Sequence, residues 1–354
     1  MVKHFVPLPQ APTSWAPGTS LHHAYIRCLE YEHSASCSRP QKNAWQFTHL
    51  LAARVLGYLF LHAPTYEGRE WLSSQILSCN DDDALLDLGK EYNDHLIRIF
   101  QRPPRYSGDD LSDSDVDEFP TGDPASQPEA LLADLLAKPP SYDRAKRLAL
   151  IRDGYRSVFS GEFDFPSILA GLVFPIPEIS VTETSAAHVI PVLTNDIMRE
   201  NGMKAKASIT TVRDIIEHFG GVSIMEELSG QAAHRLENVL TLDLVFHSFF
   251  RQFYIWLEAT TVPNQYRANA MVESVLNKLP NRIITFTSTD PRLPLPSPRY
   301  LALHAACAKT AHLSGVRAFN ARVMEDLQES RTMKNDGGSA ELLATALSRI
   351  ATID

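Results

Sequence analysis

The chain has 354 residues, of which 44% are hydrophobic and 21% charged, and its net charge is −9. That length allows one or two full cores, and the composition is ordinary for a globular protein. The acidic balance excludes a broad electrostatic footprint on nucleic acid, which needs basic surface, though not a small local site.

The opening stretch "MVKHFVPLPQAPTSWAPGTS" is proline-rich and has no apolar core of the kind a secretory signal needs. An intracellular protein, nuclear or cytoplasmic, is expected. Cys28, Cys37, Cys79 and Cys307 form no CxxC pair, so they read as reduced thiols rather than a zinc ribbon. No apolar run reaches ~18 residues without a charge, so no membrane span is expected.

His22 and His23 fall at a helix start and carry no ligand spacing. "QFTHLLAARVLGYLFLHAP" has apolar residues at helical spacing and ends at Pro64. "DDALLDLGKEYNDHLIRIFQ" is a second amphipathic helix, opened by acids and stopped by Pro103 and Pro104. The stretch after it holds Asp109, Asp110, Asp113, Asp115, Asp117 and Glu118 and reads as a disordered acidic linker over 103–128. The disordered linker is preferred to a calcium loop there, because the glycine at the sixth position and the glutamate at the twelfth are missing.

"EALLADLLAK" and "SYDRAKRLALIRDGY" follow as short helices, "RSVFSG" as a brief strand and "SAAHVIPV" as a second β-rich run. "ITTVRDIIEHFGG" is a helix with a glycine stop. "RLENVLTLD" leads into "LVFHSFFRQFYIWLEAT", read as one long helix with a wide apolar face. "NRIITFTS" is a strand, while "RYLALHAACAKTAHLSG" and "SAELLATALSRIA" are helices. In the first of these, His304, Cys307 and His312 read as packing residues rather than metal ligands.

Three polar residues stand out in order: His188 in "AHVIP", Asn238 in "RLENVLTLD" and His247 in "VFHSFF". With "RDGYRSVFSG" before them, they resemble the HNH endonuclease superfamily, specifically fungal proteins with an HNH nuclease domain. The resemblance extends to "LGYLFLHAP", "CNDDDALLDLGKEY" and "LPSPRYLALHAACAKTAHLSG" and covers most of the chain apart from the linker. It implies an α+β protein with a small ββα-metal core embedded among helices. The expected division is a helical region at 1–102, the linker, a nuclease-like domain at 129–262 and a mostly helical extension at 263–354.

The resemblance implies a metal-dependent endonuclease that hydrolyses phosphodiester bonds in DNA. His188 would be the general base and Asn238 would fix the backbone around it. His247 would bind one divalent cation (Mg, Mn or Zn). A neutral imidazole can take a proton from water, and a divalent cation can neutralise charge on the leaving oxygen. The departures are Ala187, where relatives carry an acid or a second histidine, and Ser157, where they carry cysteine. Arg251 stands where they often place an acid four residues after the helix histidine. Positions four apart share a helix face, and a cation there repels a metal ion. Asp243, one turn before His247, is the candidate replacement ligand. The alternative is a catalytically inactive protein that keeps the fold as a nucleic-acid-binding or protein-interaction module. Lys146, Arg147, Arg152 and Arg156 form either a phosphate track or a solvated helix face. Arg152 and Arg156, with Arg251, are the candidates for nucleic-acid contact.

Overall fold

The computed structural model describes residues 6–37, 46–101, 128–192 and 212–329. Among these the protein is α+β, mostly helical, with three small sheets. No helix among them is long and apolar enough to cross a membrane. The acidic linker and the helix expected over 339–351 lie outside the described residues. The chain forms two compact units, one of Met1–Phe100, Leu193–Ile224 and Ala305–Asp354, the other of Gln101–Val192 and Met225–His304.

In the first unit, α1 (Ser20–Cys37), α2 (His49–His62), α3 (Tyr66–Ser78) and α4 (Asp82–Tyr92) pack together. Thr48, Thr65 and Asp81 cap α2, α3 and α4 by accepting the N–H groups of Leu51, Gly68 and Ala84. Helix α2 buries the run Val55–Phe60 whole. Gly89 of α4 sits so close to it that an added Cβ would lie 2.7 Å from the Ala52 methyl. The helix expected over 82–101 forms, but Asn93–Ile97 widens into a π turn. There the buried Asn93 amide exchanges hydrogen bonds with Asn320 of a later helix, Val316–Glu329. Of the helix expected over 209–221, the described part holds a π turn at Ile215–Phe219, and Gly221 supplies the left-handed stop at φ +66.

The second unit opens with α5 (Pro128–Ala137) and α6 (Tyr142–Arg152), the latter capped by Ser141. Leu148 and Ala149 of α6 share a core cluster with Leu132 and Leu135 of α5 and with Ala186, Leu236 and Val239. Strand β1 (Phe163–Asp164) pairs in parallel with β2 (Val181–Thr182), and helix α7 (Phe165–Leu169) lies between them in sequence. The strand expected over 156–161 is instead a tight turn, with Gly161 at φ +74 and its N–H on the Ser157 carbonyl at 2.9 Å.

Strand β3 (Thr184–His188) pairs antiparallel with β4 (Val239–Asp243), with His188 opposite Val239 and Thr184 opposite Asp243. Helix α8 (Leu244–Arg251) follows β4 directly and packs on both strands. The long helix expected over 244–260 therefore stops at Arg251. Phe253, at φ +61, closes it: its N–H bonds the Phe250 carbonyl and the Tyr254 N–H bonds the Phe249 carbonyl. This is a Schellman stop, usually made by glycine, here held by complete burial of the Phe253 ring. Beyond it "IWLEA" becomes β5 (Ile255–Ala259), paired with β6 (Gln265–Ala270), which pairs with β7 (Ile283–Thr285). The division expected after residue 262 falls inside the β5–β6 turn, and this unit continues to His304.

Candidate functional site

Asn238 ends the approach to β4 and is wholly buried. Its Oδ1 accepts the Ile190 N–H at 2.8 Å, while its Nδ2 donates to the carbonyls of Ile190 at 2.9 Å and Ala233 at 3.0 Å. The Val189 N–H donates to the Asn238 carbonyl at 2.8 Å. The side chain thus acts as an extra rung of ladder just past His188. Holding this backbone is what the resemblance implies for Asn238.

His188, at the end of β3, is partly buried, and its Nε2 lies 3.0 Å from Nδ1 of His234. One ring's N–H donates to the other's bare nitrogen, so a proton is shared rather than offered to solvent. The Tyr142 ring flanks both, with centroids 6.1 Å from His188 and 6.2 Å from His234. Burial pulls the His188 pKa down to about 3, helped by the charges that His234 and His247 would carry. A base that weak takes a proton from water poorly near neutral pH.

His247 lies on the first turns of α8. Its Nδ1 shares a 2.7 Å hydrogen bond with the Ser185 hydroxyl of β3. Burial lowers its pKa to about 4, and the guanidinium of Arg251, one turn further on, lowers it again against the opposing pull of Asp243. The charge that His247 would carry is one of the lesser causes of the His188 shift. Each ring spends its hydrogen bond on a different partner.

Asp243 is committed to the fold. It caps α8, with Oδ1 accepting the Phe246 N–H at 3.0 Å and Oδ2 accepting the hydroxyls of Ser157 at 2.9 Å and Ser160 at 3.0 Å. Both of its carboxylate oxygens are thus engaged within the fold. Ala187 offers only a methyl group, and Arg251 brings a positive charge. Among the described residues no three His, Cys, Asp or Glu side chains gather in a metal-holding group. The residues present do not fit a divalent cation, which needs several oxygen or nitrogen donors around it.

The basic candidates separate. Arg152 is fully buried, contrary to a phosphate contact: Nε and Nη2 bind the Asp153 carboxylate at 2.7 and 2.8 Å, and further donors reach the carbonyls of Leu236 at 2.9 Å and Val239 at 2.8 Å. With Gly154 and Tyr155 both at positive φ, the "RDGY" element ties the end of α6 to β4. Arg156 lays its guanidinium over the Phe163 ring at 4.1 Å. Arg251 remains half-buried beside His247. His304 is a packing residue as expected, stacked on Phe250 at 3.7 Å with Nε2 on the Phe250 carbonyl at 3.1 Å.

Sequence reading passed over His234, Tyr142 and Ser185, the direct neighbours of the two named histidines. His234 stands four positions before Asn238 in "AAHRLEN", a spacing that carries no motif of its own. Compared with known protein families, with curated proteins and with solved structures, the chain matches none.

Proposed function

We propose that this chain is a catalytically silent protein built on an HNH-like ββα frame and that it works as a protein-interaction module. The observation that carries the reading is the set of side chains around His247: Ser185 on its ring, Arg251 one turn away, and an Asp243 spent on helix capping. A metal-dependent phosphodiesterase needs oxygen donors in those places. Binding to nucleic acid is disfavoured by the same accounting. Arg235 donates to Glu237, Arg282 to Glu273, Arg292 to Asp290 and Glu129, and Arg299 to Glu227. Guanidinium groups held by carboxylates of the same chain neutralise few phosphates.

The test is metal analysis of the purified protein together with plasmid nicking in Mg²⁺, Mn²⁺ and Zn²⁺, comparing wild type with His188→Ala. The expected outcome is no stoichiometric metal and nicking no greater than the protein-free control for either protein. Nicking by wild type that His188→Ala abolishes would overturn the reading.

The second reading, an endonuclease with His188 as base and a divalent cation on His247 acting on DNA, is favoured by one observation. Asn238 fixes the backbone just after His188 through two buried hydrogen bonds to Ile190, as the positioning of a catalytic base requires.

A further inference from the structure

The region from Ser157 to Val192 contains Glu162, Asp164, Glu178 and Glu183 and no lysine or arginine, and the guanidinium of Arg156, just before it, is laid over the Phe163 ring. Five large apolar side chains within it face solvent: Phe165 at 47% exposure, Leu169 at 72%, Phe174 at 81%, Ile176 at 44% and Val181 at 48%. Such a concentration of exposed large apolar groups in one short segment costs solubility unless something covers it.

The segment is built rather than loose. The buried Asp164 carboxylate caps α7, accepting the Ser167 N–H at 3.0 Å and the Ser167 hydroxyl at 2.5 Å, and its other oxygen accepts the Thr184 hydroxyl at 2.7 Å. The Phe163 N–H donates to the Ser180 carbonyl at 3.0 Å and the Ile179 N–H to Ile176 at 2.9 Å, which closes the loop on itself. Pro175 and Pro177 flank Ile176 and remove backbone freedom. Between α7 and β2 lies an open groove of about 490 Å³ lined by Phe165, Pro166, Val181, Thr182 and Glu183. The exposed Glu183 lines it, and Glu178, elsewhere in the segment, is exposed as well.

From this geometry we infer that the Phe165–Val181 surface docks a partner polypeptide whose apolar side chains are flanked by lysine or arginine. Charge decides between occupants. A second copy would set Glu183, with Glu178 of the same segment, against like charges, and an anionic lipid surface would meet the same carboxylates; a basic, amphipathic segment complements both the apolar floor and the charge. The pre-set loop lowers the ordering cost of binding. The proposal rests on the interaction-module reading and specifies where that interaction occurs.

The experiment measures fluorescence anisotropy of a labelled short amphipathic peptide with leucines on one face and lysines on the other, against the full chain. A matched peptide carries glutamates in place of the lysines. The lysine peptide is expected to bind and to weaken as salt rises, while the glutamate peptide fails to bind. Leu169→Asp with Phe174→Asp weakens binding about tenfold or more, as loss of anchoring side chains does, and Glu178→Lys with Glu183→Lys weakens it several-fold. All four positions are exposed, so the variants keep the wild-type melting midpoint, which is checked alongside. Equal binding by wild type and variants, no binding by either, or concentration-dependent dimers or anionic-vesicle binding lost in Leu169→Asp with Phe174→Asp would overturn the proposal. Nicking assays keep the two ideas apart. DNA cleavage with peptide binding intact removes the silent-module reading and leaves the surface. Absence of both removes the surface alone.

Discussion

Asn238 and Ile190 meet as two peptide groups would, one giving and taking hydrogen bonds through its side-chain amide and the other through its backbone, at 2.8 and 2.9 Å. The pairing holds the chain just past β3 against the start of β4. Truncating Asn238 leaves three buried backbone groups without their partner. Asn238→Ala is therefore predicted to cost roughly 2–4 kcal/mol of folding free energy, read from the shift of the urea midpoint at unchanged slope. A change under about 0.5 kcal/mol, the range of an ordinary surface substitution, would show that the amide does not hold the strand.

Arg152 and Asp153 form a buried bidentate pair whose guanidinium also reaches the Leu236 and Val239 carbonyls. Arg152→Ala strands a buried carboxylate and two carbonyls, and a loss of about 3–5 kcal/mol is expected. Replacing both partners with apolar residues, Arg152→Met with Asp153→Leu, should recover part of that loss, because no uncompensated charge remains. Thermal and urea unfolding of the three proteins give the comparison. A phosphate-binding role for Arg152 would instead leave the stability of Arg152→Ala close to wild type.

These two residues also mark how far the sequence could be read. Asn238 was legible only through the resemblance, which implies that its amide fixes the backbone near His188; taken alone it reads as a turn or cap residue. Arg152 was not, because a cation on an amphipathic helix reads as solvated until its depth is known. The same limit applies at Phe253. "HSFFRQFYIWLEA" keeps helical apolar spacing, and only burial of a phenylalanine in a left-handed conformation shows where the helix stops. Asp243 was seen as an acid one turn from His247. Whether its oxygens face a cation or the end of its own helix is a matter of local geometry that spacing leaves open. His234 reaches His188 only through the pairing of β3 with β4, a contact between segments distant in sequence.

Three histidines titrate far below their ordinary value, His188 and His304 at about 3 and His247 at about 4, all chiefly through burial. The unfolded chain protonates each near pH ~6.5. Between that value and the folded values the unfolded state binds protons that the folded state refuses. The stability these neutral rings contribute is complete above ~6.5 and is lost as pH falls toward the folded values, by up to about 1.4 kcal/mol per pH unit for each ring. A series of urea unfolding curves from neutral pH downward should show the midpoint falling. His304→Phe, which keeps a ring against Phe250, should flatten the slope by one proton's worth. An unchanged slope in that variant would mean His304 is protonated in the folded protein.

Arg251 and His247 face the same way on α8; burial chiefly keeps the imidazole neutral, and the guanidinium adds to that effect. Reversing that charge tests whether the cation is what keeps metal away. In Arg251→Asp the nearest charge favours the imidazolium instead of opposing it, so the His247 pKa should rise above about 4, as histidine proton NMR titration would measure. The new carboxylate and the His247 ring then lie one turn apart on one helix face, a spacing that two ligands can use. Mn²⁺ should broaden the His247 resonance in Arg251→Asp and leave it sharp in wild type. Selective broadening in wild type would mean that the native side chains already draw a divalent cation to His247, and the endonuclease reading would then take precedence over the silent one.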